Sequence, residues 1–191
     1  MSDKCRDGKP ILLALGANLP SLWGSPVATF YHVIAELRSL GLHVVDVSKV
    51  YKTRAIGPGL QKIYYNAVIS ARSDLPPARI LREAKRLERK AGRRLGRTWG
   101  PRCLDIDLID YKGHTLRSRL RNRAPGRLIL PHPHVHQRAF VLVPLRDVAP
   151  DWQHPVTHRS VTALLKALSV GERAGVGPGL AFAPPPCDKT R

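Results

Sequence analysis

The run Trp99-Gly100-Pro101-Arg102-Cys103-Leu104-Asp105-Ile106-Asp107-Leu108 places two carboxylates two residues apart in an otherwise apolar stretch. In a strand, successive side chains alternate faces, so Asp105 and Asp107 would point the same way, about 7 Å apart. Leu104, Ile106 and Leu108 would anchor the other face in a core. Two carboxylates on one face can hold a hard cation such as magnesium, which favours oxygen ligands. A bare Asp-x-Asp is more often the solvated side of an edge strand. The pair needs company before it means chemistry.

Arginines supply that company. Arg93, Arg94, Arg97 and Arg102 surround the entry to the strand, and Arg127 and Arg138 follow it, beside His132, His134 and His136. A guanidinium fork grips phosphate oxygens at two points, so these cations with an adjacent acid pair make a polyphosphate site. The bland alternative is a solvated basic face. No Gly-x-x-x-x-Gly-Lys-Ser/Thr run is present, so ATP would be held by side chains and magnesium rather than by a phosphate-binding glycine loop. Tyr64, Asn66 and Phe140 add two flat faces and a paired donor and acceptor, which together could sandwich and read a planar heterocycle.

The elements that must position these residues follow from periodicity. Ile11–Leu15 reads as a short strand ending in a turn at Gly16-Ala17-Asn18. Ser25-Pro26 reads as an N-cap and first helical residue, with Val27, Phe30, Ile34 and Leu37 at helical spacing and a stop at Gly41. Val44–Thr53 and Tyr65–Arg72 alternate and are rich in strand-forming residues. A second helix begins near Pro76-Pro77, carries Ile80, Ala84, Leu87 and Ala91 on one face, and stops at Gly92. Leu104–Ile109 is a further strand; Ala139–Val148 and Val161–Leu168 read as short helices, the latter capped by Ser160. Several neighbouring strands have connections too short for parallel crossovers. An α+β architecture results, a largely antiparallel sheet with helices packed on it.

Length and composition set the outer bounds. The chain of 191 residues suits a single domain. Residues 1–10 read as a flexible N-terminus, 11–170 as the domain, and 171–191, rich in Gly, Pro and Ala, as a disordered tail. Cys5, Cys103 and Cys187 are odd in number and widely spaced, which fits a reducing cytoplasm and argues against a disulfide framework or a zinc site. No stretch approaches the length of a membrane span. The net charge of +18 invites polyanionic company. Nucleic acid is the rival partner, but aromatic residues are only 6% of the chain, and neither zinc-finger spacing nor an aromatic RNA-binding signature is present.

Five ordered runs resemble one family. They are LALGANL (Leu13–Leu19), VYKTRAIGP (Val50–Pro58) leading to Tyr64-Tyr65-Asn66-Ala67, WGPRCLDIDL, LILPHPHVHQRAF (Leu128–Phe140) and VPLRDVAPDW (Val143–Trp152). The family is hydroxymethyl-dihydropterin pyrophosphokinase, and the similarity spans roughly residues 11 to 168. The resemblance implies a ferredoxin-like α+β sandwich that transfers pyrophosphate from ATP to 6-hydroxymethyl-7,8-dihydropterin in folate biosynthesis. It further implies small-molecule substrates and two magnesium ions, and the chain is expected to be a cytoplasmic monomer.

Residue roles are carried over in the same way. Asp105 and Asp107 would ligate the magnesium ions. Arg93, Arg97, Arg102, Arg127, His132 and Arg138 would meet the nucleotide, with Glu88 and Leu108 beside it and Trp99 on a loop closing over it. Arg93, Arg102, Asp107 and His132 would carry the catalysis. Tyr64 and Phe140 would sandwich the pterin, Asn66 would bond its edge, and the backbone of Thr53 and Ile56 would complete the pocket. Three departures from the family pattern stand out. The loop Gly92–Arg97 is one residue short, which leaves Arg94 and Arg97 as alternatives for one role. Lys85 replaces a common glutamine, and Pro133 replaces a tyrosine. Between Gly113 and Pro131, Arg117, Arg119, Arg121 and Arg123 alternate, a cationic ridge that the resemblance does not require.

Overall fold

Strand β1 (Ile11–Ala17) runs through the middle of the sheet, apolar on both faces because both faces are covered. The computed structural model describes residues 9–54, 62–93, 101–119 and 127–182, apart from the side chains of Ser118, Arg119 and Arg127. Ile56, Arg94, Arg97, Trp99, Arg121 and Arg123, and the side chain of Arg127, therefore lie outside the described residues. Antiparallel neighbours of β1 are β4 (Tyr64–Arg72) and β5 (Asp105–Tyr111). Beyond β4 come β2 (His43–Val47) and β3 (Val50–Thr53), both antiparallel to it. Helix α1 (Pro26–Ser39) joins β1 to β2, and α2 (Pro77–Lys90) joins β4 to β5. Each helix thus links two strands with a third lying between them, the split β-α-β arrangement of a ferredoxin-like α+β sandwich.

Alternation along β1 divides the core in two. Ile11, Leu13 and Leu15 face α1 and α2, where they meet Phe30, Ile34, Leu37, Ile80 and Leu87. Leu12 faces the other way with Val68 and Ile109, against α3 (Ala139–Val148) and α4 (Val161–Ala167). Leu13 is fully buried, and truncation to alanine would cost about 2–5 kcal/mol. The expected caps are present: Ser25 accepts from the Ala28 N–H and Ser160 from the Ala163 N–H. Gly41 and Gly92 end their helices at φ +86° and +95°, values that suit glycine.

Two expectations are corrected. Val44–Thr53 is two strands, not one. Ser48, buried at the break, takes the Val68 N–H on its hydroxyl, and the Lys49 N–H turns outward to Asp147. The disordered tail expected from residue 171 carries regular structure among its described residues. Helix α5 (Val170–Ala174) opens with a capping box between Ser169 and Glu172, and β8 (Val176–Leu180) pairs with the outer edge of β3. Gly179 is there for close approach: a Cβ would meet the Lys49 Cβ at 2.8 Å. The composition that reads as disorder is what lets this strand lie flat on its neighbour. Phe182 then stacks on Tyr31 at 4.4 Å. In the basic stretch, β6 (Leu116–Arg119) and β7 (Arg127–Leu130) form a hairpin with Arg119 opposite Arg127. Among the described residues no helix is long and apolar enough to cross a membrane.

Candidate functional site

Near the C-terminal end of β1 the residues on the α3 side shrink to Ala14 and Gly16, and a cavity of about 310 Å³ opens over the sheet. That volume is at the small end of the range for small-molecule sites. Four strands build its floor. β1 contributes Ala14 and Gly16, β4 contributes Tyr64 and Asn66, β3 contributes Thr53, and β5 contributes Asp105 and Asp107. The register sets Gly16 opposite both Asn66 and Asp105, so the glycine sits between the amide and the carboxylates. A Cβ on Gly16 would come within 3.3 Å of the Asn66 Oδ1. The wall comes from His132 and from the start of α3, through Arg138, Phe140 and Val141.

One end of the cavity is strongly charged. Asp105 accepts from Arg93 Nη1 at 2.5 Å and from Arg102 Nη1, and Lys85 Nζ lies 3.9 Å away. Burial pushes the Asp105 carboxyl up, but Arg102, Arg93 and Lys85 outweigh it and hold it below the usual carboxylate range. Asp107 is held more loosely: Arg138 Nη1 is 3.4 Å and His132 Nε2 3.8 Å from its Oδ2. Burial pushes the His132 imidazole down despite Asp107, so the ring is neutral at neutral pH. Its Nδ1 accepts the His134 N–H at 3.2 Å, which leaves the proton on Nε2, aimed at Asp107.

The other end is flat and less charged. Asn66 and Thr53 are both buried, and the Asn66 Nδ2 donates to the Thr53 Oγ1 at 2.8 Å. Arg138 lies over the Phe140 ring, 5.7 Å from its centroid, and links the two ends. Burial raises the Tyr64 phenol above its ordinary value, so the ring stays neutral.

Most of the residues singled out from sequence converge here: Thr53, Tyr64, Asn66, Arg102, Asp105, Asp107, His132, Arg138 and Phe140 all line the cavity. Arg93 stands just behind Asp105. Two side chains expected beside the nucleotide do not line the cavity. Leu108 is buried in the core, as the alternation of Leu104, Ile106 and Leu108 predicts. Glu88, 3% exposed, faces Arg93 and the strand backbone rather than the cavity. It accepts the Ile106 N–H at 2.9 Å, Lys85 Nζ at 2.6 Å and Arg93 Nη1 at 2.5 Å. Burial first, and Asp105 with it, raises the Glu88 carboxyl against the pull of Lys85. Arg54, inside the Thr-Arg-Ala-Ile-Gly-Pro run, also lines the cavity, although its residue type and spacing alone do not mark it. Gly16, which the sequence presents as a turn, lies inside β1.

Magnesium fits the donor set. Asp105 and Asp107 are hard oxygen donors on one strand face, and magnesium is commonly held by one or two carboxylates with phosphates and water completing its shell. Among the described residues no group of three or more His, Cys, Asp or Glu could hold a metal unaided.

Comparison with known proteins agrees with this geometry. Residues 12–150 match the family described as 7,8-dihydro-6-hydroxymethylpterin-pyrophosphokinase (HPPK). A 2-amino-4-hydroxy-6-hydroxymethyldihydropteridine pyrophosphokinase of Synechocystis is 35% identical over 170 residues, covering 88% of this chain and 81% of its own. The Haemophilus influenzae protein of the same name is 34% identical, covering 81% of this chain and 89% of its own. Among solved structures, wild-type Plasmodium falciparum HPPK-DHPS aligns with a TM-score of 0.65 at 13% identity. The match takes in 84% of this chain but only 44% of that longer one, and at this identity it speaks for the fold alone.

Proposed function

The chain belongs to the 7,8-dihydro-6-hydroxymethylpterin-pyrophosphokinase family, and from that premise we propose that its cavity transfers the terminal pyrophosphoryl group of ATP to 6-hydroxymethyl-7,8-dihydropterin, as a step in folate biosynthesis. The observation that carries the proposal is one cavity with two chemically distinct ends. A flat end is formed by Tyr64, Phe140, Asn66 and Thr53, and a cationic end carries an acid pair.

The pterin lies between Tyr64 and Phe140, with its amide edge on Asn66, which a hydrogen bond to Thr53 holds in place. Its hydroxymethyl oxygen attacks the β-phosphorus of ATP. The new oxygen–phosphorus bond forms as the bond from that phosphorus to the bridging oxygen breaks, AMP leaves, and the hydroxyl proton passes to solvent. Magnesium, when held by Asp105 and Asp107, supplies charge neutralisation on the polyphosphate. The resemblance implies two such ions. Arg102, Arg138 and the neutral His132 donate to phosphate oxygens, and Arg93 stands behind them as a further cation. Little covalent help is needed: positioning and electrostatic stabilisation carry a reaction of this kind.

Formation of AMP from ATP, measured with and without the pterin and with magnesium or a chelator, tests the proposal. AMP that appears only with pterin and magnesium together supports it. Pterin-independent hydrolysis would overturn it.

A further inference from the structure

Arg102 reaches both Asp105 and the cavity from a segment that precedes β5, outside the strand ladder. A guanidinium on a long side chain is only as well placed as the backbone that carries it. Asn18, just past the end of β1, grips that backbone on both sides. The N–H groups of Asn18 and Leu19 donate to the Arg102 carbonyl at 2.9 and 3.2 Å, and the Asn18 Oδ1 accepts the Arg102 N–H at 2.7 Å. The β1–β5 ladder ends at Gly16 opposite Asp105. The Asn18 side chain continues it by standing in for the missing strand carbonyl.

We propose that Asn18 is a positioning residue for the transfer reaction: its Oδ1 holds the Arg102 peptide, and through it the guanidinium that meets the nucleotide phosphates. This rests on the assignment of Arg102 to the nucleotide end of the cavity. The other half of the amide supports the idea. Asn18 is 3% exposed, and its Nδ2 is buried without a hydrogen-bond partner among the described residues. A buried donor left unpaired is a cost that natural cores avoid unless the group is kept for something else. Here the side chain is kept for its oxygen. The contact spans 84 residues of sequence, so it ties the end of β1 to the catalytic arginine.

The test uses the full chain and calorimetric titration with magnesium and α,β-methylene-ATP, and separately with the pterin. Asn18→Leu removes the acceptor at similar volume. It should weaken nucleotide binding at least about tenfold, given how steeply function falls with misplacement of a positioning group, and leave pterin affinity within about twofold. Asn18→Asp keeps an oxygen toward the Arg102 N–H in either protonation state and should stay within about threefold of the parent for the nucleotide. In the Arg102→Ala background, Asn18→Leu should add nothing, because the two residues act as one unit.

A folded Asn18→Leu protein with parental nucleotide affinity overturns the proposal. So does equal loss of pterin and nucleotide binding, additivity with Arg102→Ala, or an Asn18→Asp protein as weak as Asn18→Leu. If Asn18→Leu does not fold, Asn18→Ala carries the same comparison; failure of both to fold makes the clamp purely structural and also overturns the proposal. Should Arg102→Ala alone leave nucleotide affinity unchanged, the assignment of Arg102 fails, and the role proposed for Asn18 falls with it.

Discussion

Asp105 and Asp107 stand two residues apart on one strand face, yet their surroundings differ. Asp105 is surrounded by Arg93, Arg102 and Lys85, whereas Asp107 meets Arg138 and the neutral His132 at longer range. Asp107 is therefore the carboxylate with more freedom to bind a cation. Asp107→Ala is expected to lower turnover at least about a hundredfold, the scale of losing one electrostatic group in a preorganised site. The protein should remain folded, because the side chain is partly exposed and its ion pairs are long. Steady-state turnover at saturating magnesium, alongside thermal unfolding, checks this.

His154 offers a second test at this scale. It is buried, and its Nδ1 accepts the N–H groups of Val156 and Thr157. Protonation would turn that acceptor into a donor facing two donors. Burial, and then the neighbouring His136, push the imidazole below its ordinary value of 6.5, outweighing Asp110. The unfolded chain thus takes up this proton more readily than the fold. Stability from His154 is fully present above the ordinary histidine range and is lost as pH falls through the lower folded value. Asn can accept through its side-chain oxygen but does not titrate, so His154→Asn should flatten the fall in unfolding free energy below about pH 6.5. Denaturant unfolding at a series of pH values reads it.

At the scale of elements, the C-terminal segment matters most. β8 satisfies the outer edge of β3, and β3 carries Thr53 with Val176 directly across from it. A chain ending at Ser169 would lose α5, β8 and the stacking of Phe182 on Tyr31. It is expected to unfold several degrees lower, consistent with a loss of one or two kcal/mol in a domain of this size. Pterin affinity should fall more than nucleotide affinity, because the loosened strand belongs to the flat end of the cavity. Scanning calorimetry and separate titrations would show whether the two ends respond differently; equal loss would count against the assignment of ends.

For the whole molecule, the net charge of +18 is the dominant global property. A field of that sign steers anionic ligands, and salt screens it. The kcat/KM for ATP should therefore fall as ionic strength rises, while the kcat/KM for the uncharged pterin changes little. Parallel salt series under each limiting substrate would reveal a shared slope if the charge had no steering role.

How much of this was legible in the chain follows from how far apart the interacting residues lie. Alternation in Leu104–Leu108, helical spacing from Val27 to Leu37, the caps at Ser25 and Ser160 and the stops at Gly41 and Gly92 are written locally. Each depends on neighbours a few residues away, so composition and period reveal it. The α+β class and most of the cavity lining were accessible in that way, with the ordered motifs supplying which residues would gather.

Other features depend on groups brought together from distant strands and helices. Ser48 breaks a strand because it meets Val68, and Gly179 is required because Lys49 lies beneath it. Glu88 turns inward because Arg93 and the Ile106 N–H meet it there. Periodicity reports that a face is buried but not what covers it. The sequence by itself determined the pattern of buried and exposed faces and the elements that carry them. Only the tertiary structure decided the partners, because a partner is chosen by packing across the sheet rather than by anything encoded beside it.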